Sequence, residues 1–91
     1  MSKKTVIPKT VEEAIEFLDK ELNKEDKEFL IEHGAVSVHH SLGRWIRNNW
    51  GLWTSSELKG LLMEKGYSEP DEMSNYIIEE YIKHLKNRLS S

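Results

Sequence analysis

"SEPDEMSNYIIEEYIKHLKNRL", Ser68–Leu89, is the longest periodic stretch of the chain, and its reading decides the fold class. Met73, Ile77, Ile78, Tyr81, Ile82, Leu85 and Leu89 recur at the three- and four-residue steps that gather on one face of an α-helix. Ser68 offers a cap. Pro70 falls in the first turn, where its missing N–H is no loss, and Glu69 and Asp71 beside it suit the positive end of the helix dipole. Lys83, Lys86 and Arg88 sit near the other end, where cations are favoured. A stripe this long needs partners to cover it, so it is read as the spine of the core.

Outward from the spine, the rest of the chain also reads as helix. Thr10-Val11-Glu12-Glu13 fits a capping box, with the Glu13 carboxylate expected to reach back to the cap, and Val11, Ala14, Ile15, Leu18 and Leu22 follow at helical spacing. Asn23 caps a second helix whose buried edge is assigned to Phe29 and Leu30 and whose stop is Gly34. Ser37 is read as the cap of a third helix over about 38–49, with Leu42, Trp45 and Ile46 on its apolar face and Gly51 as its stop. Thr54-Ser55-Ser56-Glu57 starts a fourth helix, carrying Leu58, Leu61, Leu62 and Met63, which Gly66 ends. The expected architecture is all-α: one small domain of four to five helices, an orthogonal or irregular bundle, over residues 10–91. Residues 1–9 are read as a flexible N-terminal tail.

The bulk properties narrow the function. With 91 residues the chain makes a single domain with a modest core. It has no cysteine, which excludes disulfide and thiolate chemistry and fits a reducing cytoplasm. No apolar run is long enough to span a bilayer, and the start, MSKKTVIPKT, has no apolar core of a secretory signal. The net charge of −3 disfavours nucleic acid unless the basic groups cluster. They do not: "NNWGLWTSS" is too long and aromatic for the turn of a helix-turn-helix, and the fourth helix carries only Lys59 and Lys65 as cations. The acidic faces of the first two helices are read as solvated. There is no HExxH, and adjacent His39 and His40 would diverge by roughly 100° on a helix, so no metal site is expected and no cofactor is implied.

The remaining chemistry concentrates in "LGRWIRNNWGLW", Leu42–Trp53, which holds all three tryptophans and two arginines. Trp45 is assigned to the core by its place beside Leu42 and Ile46. Arg47, Asn48 and Asp71 are read as a structural clip between the third and fifth helices, with Glu72 an alternative acid for Arg47. His40, Arg44, Trp50 and Trp53 are left as the candidate binding residues, because tryptophan beside arginine is common chemistry at interface hot spots.

Four segments together resemble a small bacterial family, the domain of unknown function numbered 6794. They are TVEEA (Thr10–Ala14), EDK–FL (Glu25–Leu30), LGxxIRNxxGLW (Leu42–Trp53) and PDxMSxxII (Pro70–Ile78). The chain departs from the pattern at Glu69, where the family often carries a histidine. The resemblance implies a small α-helical domain and groups Arg47 and Asn48 with Asp71 and Ser74. It implies no reaction, cofactor or catalytic residue. The functional expectation is therefore a cytoplasmic protein–protein interaction or accessory module, not an enzyme, with an unknown protein partner. The alternative is an anion or nucleotide-phosphate binder using Arg44, Arg47 and His40.

Overall fold

The computed structural model describes residues 7–53 and 56–90, and within them the chain is entirely helix, turn and loop. Five α-helices follow in order: α1 (Val11–Glu21), α2 (Lys24–His33), α3 (Leu42–Asn49), α4 (Glu57–Glu64) and α5 (Pro70–Ser90), with a 3-10 turn at Ala35–Val38 before α3. The domain is all-α, as the periodicity predicts. Helix α5 packs against α1, α2, α3 and the 3-10 turn. Met73, Ile77, Ile78, Tyr81, Ile82 and Leu85 of its stripe are all buried. The side chain of Leu89 lies outside the described residues, as do residues 1–6 of the expected tail and Thr54 and Ser55 of the fourth helix start. Of the other tail residues, Pro8 is buried and the Lys9 N–H donates to Glu13 Oε1 at 2.8 Å, so the packed body begins before residue 10.

The helix ends follow local chemistry. Thr10 Oγ1 accepts from the Glu13 N–H at 3.1 Å, but Glu13 reaches past the cap to Lys9 instead of closing a box with Thr10. Asn23 and Asp26 do form a reciprocal box at the start of α2. Ser56 Oγ accepts from the Lys59 N–H and donates to the Trp50 carbonyl, each at 3.1 Å, so one hydroxyl ties the start of α4 to the end of α3. At the end of α4, Gly66 takes φ 105°. Its N–H bonds to the Met63 carbonyl and the Tyr67 N–H to the Leu62 carbonyl, each at 3.0 Å. That double bond pattern is the Schellman motif, and it requires a left-handed residue. Helix α5 begins at Pro70 itself, with the Glu69 carbonyl accepting from Met73, so Glu69 and not Ser68 holds the cap position.

Three expectations are corrected. The third helix begins at Leu42, not near residue 38, because Ala35–Val38 winds as a 3-10 turn; Ser37 Oγ donates back to the Gly34 carbonyl at 2.7 Å and does not cap the next helix. Phe29 is 46% exposed, and Leu30 alone is the deeply buried residue of α2. The tryptophans exchange roles: Trp45 is 38% exposed while Trp50 is completely buried. At about 100° per residue, the buried arc of α3 runs from Ile46 through Trp50 and Gly43 to Arg47. Trp45 lies outside that arc, about 100° beyond Ile46. It stacks on Phe17 of α1 with ring centroids 5.8 Å apart, and both rings meet Trp50 edge-on.

Candidate functional site

Arg47 is 6% exposed, an unusual position for a charge, and its surroundings account for it. Nη1 donates to Ser74 Oγ at 3.0 Å and Nη2 to the His39 carbonyl at 3.4 Å. Nε lies 3.3 Å from Asp71 Oδ1, within ion-pair distance but without the alignment of a hydrogen bond. Ser74 is itself fully buried, and its hydroxyl donates to the Asp71 carbonyl at 3.1 Å. One guanidinium thus joins α3, the turn before it and the first turn of α5. The close approach depends on Gly43: a Cβ there would stand 3.1 Å from Arg47 Nη1 and 3.6 Å from Ser74 Oγ. Ser74 was not singled out from its own chemistry, since a serine inside a helical stripe reads as a gap in the apolar pattern.

Asn48, grouped with this clip by the sequence, faces outward. Its Oδ1 accepts from the Trp53 indole N–H at 3.0 Å. Arg44 lies one helical turn before Asn48 on the same exposed side of α3 and has no hydrogen bond or ion pair among the described residues. His40 is exposed in the turn that precedes the helix. Trp53 is 58% exposed. Of the four candidate binding residues, His40, Arg44 and Trp53 are therefore on the surface. Trp50 is not, being enclosed by Phe17 and Trp45. The trio of the anion-binding alternative is divided: Arg44 and His40 point outward, whereas the Arg47 guanidinium is committed to Ser74, His39 and Asp71.

The His39 and His40 rings, outside any helix, meet edge to face at 5.0 Å. No group of three potential ligands among the described residues is arranged to hold a metal ion.

A second polar centre, missed in the sequence, lies further along the same side of α5, where Tyr81 and Arg88 follow Ser74 at successive seven-residue steps. Asp19 receives the Tyr81 hydroxyl at 3.1 Å and Arg88 Nη1 at 3.0 Å, and Lys27 Nζ lies 3.3 Å away. Burial works to raise the Asp19 carboxyl, but the hydrogen bonds from Lys27, Tyr81 and Arg88 and the Lys27 charge outweigh it and hold it below its usual value. Burial, and next the contact with the Asp19 carboxylate, push the Tyr81 hydroxyl well above the usual range. Only the long-range meeting of α1 with α5, with Lys27 added from α2, creates this centre.

These two polar joins and the apolar spine define a small helical domain whose outward chemistry is aromatic and cationic along α3. The chain belongs to the family described as Domain of unknown function (DUF6794), which it matches over residues 7–85. No curated protein and no solved structure matches it. No helix among the described residues is long and apolar enough to cross a membrane.

Proposed function

We propose that the chain is a small cytoplasmic protein–protein interaction module that contacts its partner through the outer side of α3 and the turn after it. The observation that carries this reading is Trp53, exposed yet held in place by its indole hydrogen bond to Asn48, one turn from an Arg44 with no partner among the described residues. An aromatic side chain already fixed in position loses little conformational entropy on binding, and tryptophan and arginine are the residue types most often decisive at interfaces. The reading requires no reaction.

The test is affinity capture from native lysate, followed by reconstitution with the purified partner. Trp53→Ala and Arg44→Ala are each expected to weaken that complex at least about tenfold with no loss of thermal stability. A folded double variant that binds the same partner with unchanged affinity refutes the assignment of this surface.

A further inference from the structure

A separate surface lies where α1, α2 and α3 meet. Phe17 and Trp45 border a depression of about 270 Å³, and Phe29 and Val38 border a second of about 240 Å³. Leu22 and Leu42 line both, so the two are neighbouring sockets in one apolar groove. The charged residue lining the first is Glu21 and the one lining the second is Asp26; no basic side chain lines either. Both acids are exposed at the rim. Phe29 and Trp45, two of the large exposed apolar side chains of the domain, flank this groove.

We infer that this groove receives a basic amphipathic helix of a partner protein, which inserts two large apolar side chains one turn apart into the paired sockets and sets lysine or arginine against Glu21 and Asp26. Side chains at i and i+3 or i+4 of a helix stand about 5–6 Å apart, a spacing suited to adjoining sockets. The apolar floor would bury those anchors, and the acids would choose the sign of the charges around them. A helix suits the site better than an extended strand. The described residues offer no sheet edge to an incoming backbone, and a helix satisfies its own N–H and C=O groups. This inference does not rest on the Trp53 surface.

The experiment is an NMR titration of the full chain with three synthetic peptides. One is a leucine/lysine peptide with helical periodicity, one its leucine/glutamate counterpart, and one a leucine/lysine peptide of the same composition in alternating order. The helical lysine peptide is expected to shift the Trp45 indole N–H and the Leu22 and Leu42 amides. Glu21→Lys and Phe29→Ser, both at exposed positions, are expected to weaken it at least about tenfold, and Trp53→Ala to leave it unchanged. The inference is overturned by equal binding of the glutamate or alternating peptide, by shifts confined to other residues, or by no binding at millimolar peptide. It is also overturned if Trp53→Ala abolishes binding. Concentration-dependent shifts of the same groove residues without peptide would assign the groove to a second copy of the chain and overturn it as well.

Discussion

Replacing Arg47 by Met and Asp71 by Asn, singly and together, measures how the clip between α3 and α5 works. Arg47→Met removes the charged hydrogen bond to Ser74 Oγ, a contact type worth about 1.5–3 kcal/mol. The longer 3.4 Å contact to the His39 carbonyl adds less. Methionine keeps most of the aliphatic packing, and Ser74 still donates to the Asp71 carbonyl, so no hydroxyl is orphaned. The expected loss is about 2 kcal/mol. Asp71 is different, because its side chain is 60% exposed and water screens its pairing. Asp71→Asn leaves the buried guanidinium without its counter-ion and removes a favourable charge from the first turn of α5, and about 1 kcal/mol is expected. In the double variant the pair is lost once, and no uncompensated charge remains inside. Its destabilisation should therefore fall short of the sum by about 0.5–1 kcal/mol. Urea unfolding followed by circular dichroism gives all four values, and high salt should shrink the coupling because one partner faces solvent. Strict additivity would show that Arg47 is held by Ser74 and the backbone alone, and that the 3.3 Å approach to Asp71 contributes nothing.

Three further outcomes follow from other contacts. Gly43→Ala adds helix propensity of about 1 kcal/mol, yet its Cβ would meet Arg47 Nη1 at 3.1 Å and push the guanidinium from its partners. It should destabilise the natural chain and stabilise the Arg47→Met variant, and urea midpoints that move in the same direction in both backgrounds would refute the packing argument. For Asp19, whose carboxyl is held below its ordinary value, the stability it contributes is present above the ordinary carboxylate range and is lost as pH falls through the lowered value. Asp19→Asn should flatten the acid limb of a stability–pH curve. At the alkaline end the raised Tyr81 hydroxyl has the opposite sign: its contribution is present below the usual tyrosine range and is lost as pH rises through the raised value, which Tyr81→Phe should remove.

What the sequence conveyed and what it withheld divide along the same physical line. The α5 stripe, the caps at Thr10 and Asn23, the approximate start of α4 and the glycine stops were readable because each depends on residues within a few positions of one another. The assignment of Trp45 to the core fails because hydrophobic periodicity takes apolar neighbours as the centre of a buried face. The buried arc of α3 is completed by Gly43 and Arg47, residue types that such a pattern treats as exposed. Trp50 falls on the same arc, but as the residue that caps α3 it stands where the sequence leaves open whether the helical period still holds. Arg47 and Asp71 could be paired in advance because both occupy helix ends that must meet something. Asp19, Tyr81 and Arg88 gave no comparable signal. Each is ordinary on its own helix, and their chemistry exists only after α1 and α5 have docked.

That late meeting bears on the time for which the chain stays folded. The Asp19 contacts with Tyr81 and Arg88 span 62 and 69 residues, against 27 for Arg47 with Ser74. Caps and the α1–α2 turn can form from local encounters, whereas a contact across most of the chain must first overcome the entropy of closing a long loop. Interactions that form after the rate-limiting barrier leave the folding rate almost untouched and instead slow the escape from the native state. Asp19→Asn is therefore expected to speed unfolding while leaving the folding rate nearly unchanged, a split that stopped-flow kinetics reads directly and that an equal slowing of folding would refute.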